Sequence, residues 1–141
     1  MEIIKKYELT TNTKMHMGRT LFQIRAVVSF GSVKKGELGG YIEKEENLSH
    51  GGDAWASGNT KIWGDARICG NAQVSDAWVF GNAVISGNAQ VSSNVGDAWV
   101  FGNAVISGNA VISGNVRISG NAKVSDAVCG SNNTSELTSN R

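Results

Sequence analysis

Apolar positions along this chain fall into two regimes. From Gly52 onward a unit of the form Gly-[Asp/Asn]-Ala-x-[Val/Ile]-x recurs with a period of six, as in Gly58-Asn59-Thr60-Lys61-Ile62-Trp63, Gly64-Asp65-Ala66-Arg67-Ile68-Cys69 and Gly70-Asn71-Ala72-Gln73-Val74-Ser75. Before it, residues 1–50 hold non-repeating apolar runs, both histidines and most of the lysines. There Phe22, Ile24, Ala26 and Val28 alternate at period two, which predicts a strand. Gly36 and Gly39-Gly40 then predict a turn of the chain.

Six residues are too few for a strand and a helix. With no Pro and a β-branched residue at nearly every sixth place, short extended segments are favoured. The predicted fold is all-β, a single-stranded parallel β-helix with three strands and three corners to a coil. The aliphatic positions are Ala56, Ile62, Ile68, Val74, Val79, Ile85, Val91, Val100, Ile106, Ile112, Ile118 and Val124, twelve sites that make about four coils, with Cys129 beginning another. These side chains point inward, and the Ala four places later returns to the narrow interior. Gly followed by Asn or Asp falls at the corners, where a positive φ is needed and Asx side chains bond nearby backbone. Among the Asx positions, Asn59, Asp65 and Asn71 serve corners at a period that calcium-binding β-rolls do not share.

Two phase breaks interrupt the count. A residue is missing at Ser75-Asp76, predicting a tightened corner, and about three are added around Ser92-Ser93-Asn94-Val95-Gly96, predicting a bulge or small loop. Asp76 to Ala89 recurs unchanged at Asp97 to Ala110, a duplication that suits a fold in which each repeat touches only its neighbours. The expected organisation is an N-terminal β-rich cap over 1–50, the β-helix over 51–129, and a polar, aperiodic, flexible tail over 130–141.

Stacking three sites to a coil aligns Ile62, Val79, Val100 and Ile118. Their outward neighbours form two columns, Lys61, Trp78, Trp99, Arg117 and Trp63, Phe80, Phe101, Ser119. One face is therefore aromatic, whereas the others turn out residues such as Gln73, Ser75, Gln90 and Ser92. Five large rings on one face exceed what a soluble monomer usually exposes. A sister subunit, the cap or a ligand should cover them. Rings bordered by Lys61, Arg67 and Arg117 suit a flat, anionic, nucleotide-like ligand.

The Gly-[Asp/Asn]-Ala-x-[Val/Ile]-x array resembles the bacterial transferase hexapeptide-repeat family. Lys34-Lys35-Gly36-Glu37-Leu38-Gly39-Gly40-Tyr41-Ile42-Glu43 with Asn47-Leu48-Ser49 is similar to the segment leading into the repeats of YdcK-like proteins of bacteria and phages, grouped with transferases. The resemblance implies left-handed winding and usually a homotrimer. It is compatible with acyl- and nucleotidyl-transferases, γ-class carbonic anhydrases and purely structural proteins alike.

The chain has 141 residues, one domain's worth, and its 13 Lys plus Arg against 12 Asp plus Glu give no basic excess, so no DNA or RNA partner is expected. No segment reads as a signal peptide or a membrane span, and a soluble, cytoplasmic protein is expected. Cys69 and Cys129 make neither a disulfide framework nor a CxxC pattern, and two histidines are one short of a carbonic anhydrase zinc site, so no metal is expected. The repeats hold no histidine, so an acyltransferase using acyl-CoA would have to draw its general base from His50 or His16. The preferred expectation is a non-catalytic, cofactor-free module. Its aromatic face makes a homo-oligomer interface or captures a small anionic ring-bearing ligand, which in a phage setting would sequester a host nucleotide signal.

Overall fold

The computed structural model describes residues 5–16, 18–92, 98–113, 116–124, 128–129 and 135–137. The chain opens with β1 (Tyr7–His16), β2 (Arg19–Ala26) and β3 (Leu38–Ile42), followed by a 3-10 turn at Glu45–Asn47. Short strands then follow: β4 (Trp55–Ser57), β5 (Lys61–Ile62), β6 (Arg67–Ile68), β7 (Gln73–Ser75), β8 (Ala77–Val79), β9 (Val84–Ile85) and β10 (Gln90–Val91). The later ones are β11 (Ala98–Val100), β12 (Val105–Ile106), β13 (Val111–Ser113), β14 (Val116–Ile118), β15 (Lys123–Val124), β16 (Val128–Cys129) and β17 (Ser135–Leu137).

From β4 onward the chain visits three sheets in rotation, which makes a parallel β-solenoid of about four turns. The sheets run β1-β2-β3-β5-β8-β11-β14-β17, β16-β13-β10-β7-β4 and β15-β12-β9-β6. β16 begins a further coil, as the position of Cys129 predicts. All twelve aliphatic positions lie inside, none more than 6 % exposed, and Ala66, Ala72, Ala83, Ala89, Ala104, Ala110 and Ala122 are fully buried between them. Each buried Val or Ile contributes about 1.5–3 kcal/mol of transfer free energy, set against the ordering of its rung.

The corners explain the glycines. Gly87 sits at φ +68°, and a Cβ there would come within 2.8 Å of the Gly108 nitrogen one coil on, so both the left-handed backbone and the close stacking exclude a side chain. Beside these glycines the asparagines bond from coil to coil, Asn71 Nδ2 to Asn88 Oδ1 at 3.2 Å and Asn88 Nδ2 to Asn109 Oδ1 at 3.3 Å. At the first phase break the corner glycine is absent and Asp76 itself takes the positive φ, 52°, directly between β7 and β8. Asp tolerates this region better than most residues. Its Oδ1 also accepts the Asn59 N–H at 3.0 Å. The second break falls largely at 93–97, outside the described residues. The duplication repeats one coil in register, with Trp78 beside Trp99, Val79 beside Val100 and Ile85 beside Ile106.

The described residues of the expected cap continue one sheet of the coils. β3 runs parallel to β5, Ile42 beside Ile62, and β2 and β1 extend the same sheet antiparallel. Tyr7, Ile24, Ala26, Val33 and Ile42 share one continuous core with the coils. Ile24 and Ala26 point inward as alternation predicts, but Val28 lies past the end of β2 and is 41 % exposed. Leu21 is buried instead, on the far side of a register shift between Gln23 and Arg25. Gly39 and Gly40 do not turn the chain; both lie within β3. A Cβ on Gly39 would lie 2.6 Å from the Ala56 carbonyl oxygen, so the glycine answers a close approach between β3 and the first coil.

Two buried polar side chains tie this region down. Asn47 is fully buried; its Oδ1 accepts the Glu43 and Lys44 N–H groups and its Nδ2 donates to the Gly64 and Ala66 carbonyls. Lys6 donates to the Gly51, Gly52 and Ala54 carbonyls, the last at 2.7 Å. At the other end, the segment 130–141, expected as a flexible tail, contributes β17 over Ser135–Leu137, which pairs parallel with β14 and extends the stack. Among the described residues no helix is long and apolar enough to cross a membrane.

Candidate functional site

The outward columns read from the repeat are in register on the largest sheet. Tyr41 lies beside Lys61, Lys61 beside Trp78, Trp78 beside Trp99, and Trp99 beside Arg117. The second column follows from Trp63, Phe80 and Phe101, whose N–H groups donate to the carbonyls of Val79, Val100 and Ile118 on the next coil. Because rungs stack in parallel, the rings stack too. Trp63 and Phe80 are 4.5 Å apart with planes at 0°, Phe80 and Phe101 4.9 Å at 1°, and Trp78 and Trp99 5.1 Å at 6°. Such pairs contribute about 0.5–1.5 kcal/mol each beyond area burial. Both faces of Phe80 and one face each of Trp63, Phe101, Trp78 and Trp99 are thus engaged along the ladders.

The cap covers the first rung of this face. Leu21, Tyr41 and Trp63 are buried as one outer cluster, with the half-buried Trp78 and Phe80 packed on it. His16, near the β1–β2 turn, meets Trp63 edge-on at 4.8 Å and Trp78 at 4.4 Å. Lys14 Nζ lies 4.6 Å from the centre of the Tyr41 ring and Lys61 Nζ 5.9 Å from that of Trp78. One of the expected cations needs revision. Arg67 does not border the rings: it lies on β6, in the neighbouring sheet, because successive repeats face successive sides. Arg117 does join the aromatic column by register, opposite Trp99. Leu21, Tyr41, Lys14 and His16 were not anticipated on this face. Tyr41 had a signal, since it precedes Ile42 as Lys61 precedes Ile62; the others depend on where the hairpin folds back.

The two histidines lie on different sides. His50 stacks on Tyr7 at 4.1 Å, accepts the Lys6 N–H at Nδ1 over 3.2 Å, and lies 2.9 Å from Glu45 Oε1 through Nε2. That arrangement places the ring proton on Nε2 and donates it to Glu45. The hydrogen bond from His50 holds the Glu45 carboxyl below its ordinary range, burial opposing and Lys5 assisting. Burial and the nearby Glu45 and Glu46 push the Tyr7 phenol up, while burial draws the Lys6 ammonium down to about 8 against the pull of Asp53. Beside His50 a cleft of about 390 Å³ opens between the 3-10 turn and β6, lined among others by Glu45, Glu46, Ser49, Arg67 and Cys69. Among the described residues no group of three or more His, Cys, Asp or Glu could hold a metal ion.

Comparison with known proteins adds no family. No family model matches the chain, and a search of curated proteins finds no match either.

Proposed function

We propose that this chain is a non-catalytic assembly module, a β-solenoid whose aromatic face packs against further copies of itself in a closed homo-oligomer. The hexapeptide-repeat resemblance favours a left-handed trimer. The observation that carries the proposal is the pair of stacked ring ladders on one outer face. The hairpin reaches Trp63 and Trp78, whereas Trp99 and Phe101 lie a coil further on. Stacking engages at least one face of every ring along the ladder, which favours a protein partner over an intercalated nucleotide-like ring.

Sedimentation velocity tests this. The wild type should sediment as a single oligomer and the double variant Trp99→Lys, Phe101→Lys as a folded monomer; a monomeric wild type would overturn the proposal. If the double variant stays oligomeric but loses binding of adenosine monophosphate that the wild type shows, the face is a ligand surface instead. The acyltransferase alternative has less support, since both His50 ring nitrogens are engaged and His16 sits edge-on to two tryptophans. A titration with acetyl-CoA should therefore give no binding heat.

A further inference from the structure

The sheet carrying β6 ends one rung before the others at the capped end. Where its next strand would lie, the chain makes the 3-10 turn and then a single isolated bridge, Leu48 beside Ile68. That missing rung is the 390 Å³ cleft, within the size range of small-molecule sites. A second hollow of about 200 Å³ adjoins it, and Glu46 and Arg67 line both.

The walls are fixed before any ligand arrives. Asn47 pins the 3-10 turn to the first coil through two hydrogen bonds, to the Gly64 and Ala66 carbonyls, and braces the turn through two more from the Glu43 and Lys44 N–H groups. The His50–Glu45 pair is held by the Tyr7 ring and the Lys6 backbone. The outward residues of β6 and its flank also depart from their columns. Val84 and Val105 follow Arg67 before Lys123 restores a charge at the far end of the column, and Ser86 and Ser107 continue the line of Cys69, so Arg67 and the Cys69 thiol stand at the cleft beside two apolar rungs. Arg67 and Glu46 are both exposed, and neither has an ion-pair partner among the described residues. The Ser49 oxygen accepts the Gly51 N–H, which leaves its own O–H to donate.

We propose that this cleft binds a free α-amino acid. The Arg67 guanidinium takes the carboxylate through paired N–H donors, the Glu46 carboxylate takes the ammonium, and Ser49 and Cys69 meet the side chain. Two opposite, unpartnered charges on a preformed groove select a ligand carrying both charges over a simple anion or cation, because either alone would leave one protein charge unmatched. This reading is independent of the aromatic face.

Calorimetric titration of the full chain with each of the twenty proteinogenic L-amino acids, singly, tests it. At least one should give saturable heat below about 10 mM. Its N-acetyl and carboxamide derivatives should each bind about tenfold more weakly or worse. Arg67→Gln and Glu46→Gln, both at exposed positions, should weaken the parent ligand to the same degree, while Trp99→Ala leaves it unchanged. No saturable heat from any amino acid overturns the proposal, as does binding that survives loss of either ligand charge.

Discussion

The rung at Trp63 and the rung at Trp99 place tryptophan on the same face of the same sheet, yet they live in different surroundings. Trp63 is 6 % exposed, closed over by Leu21, Tyr41 and His16. Trp99 is half-buried and stacks on Trp78, one coil further from the hairpin. The difference teaches that the repeat decides which face a side chain takes, while the non-repeating cap decides how much of that face stays open. Stability should therefore concentrate at the capped end and surface chemistry further along the stack.

The largest effect that would test this contrast is at the joint between cap and coils. Asn47→Leu removes the partner of the Lys44 N–H and of the Gly64 and Ala66 carbonyls, while the Glu43 N–H keeps its bond to the Ile62 carbonyl, and should cost about 3–5 kcal/mol by urea unfolding. A loss below about 1 kcal/mol would mean that the cap does not anchor the stack. Next, Trp63→Ala should cost about 3 kcal/mol and Trp99→Ala about 1 kcal/mol, read from the same unfolding curves. Equal losses would erase the contrast between the rungs.

A smaller effect is pH-dependent. The Lys6 ammonium in the folded chain titrates near 8 instead of 10.5, so between those values the unfolded chain binds more protons and folding stability gains with rising pH. That contribution is full above 10.5 and is lost as the pH falls through 8. The unfolding free energy of the wild type relative to Lys6→Met should thus rise from pH 8 to 10, by at most about 1.4 kcal/mol per unit. A flat difference would show that the three carbonyl acceptors keep the ammonium charged. The smallest change expected is Asn88→Ala in the exposed middle of the asparagine ladder, about 0.5–1 kcal/mol, since neutral exposed amides gain little over water.

Much of the solenoid was legible in the sequence because a period of six admits few arrangements. The inward Val, Ile and Ala positions, the tight corner at Asp76 and the alignment of Trp78 with Trp99 all follow from counting. What escaped depends on contacts distant in sequence. The closeness of β3 to Ala56 dictates Gly39, a position that alone reads as a turn. Arg67 sits four residues from Trp63 but one corner away, so nearness in sequence misplaced it on the aromatic face. Ser135–Leu137 carries no repeat signature, and its pairing with β14 comes from the open edge that the last coil offers. The cleft arises where the regular pattern stops, a place that counting repeats does not reach.

The duplicated segment recurs after 21 positions, which is one full turn of the coil, so Ala98, Trp99, Val100, Val105 and Ile106 of the second copy each lie against their own twin in the first. A gene that copied residues 76–96 once more would lengthen the rod by a single turn, about 4.8 Å, and present every existing neighbour with a surface it already fits. Length in this protein is therefore a quantity that changes in whole turns, each adding one more tryptophan and phenylalanine to the ladders.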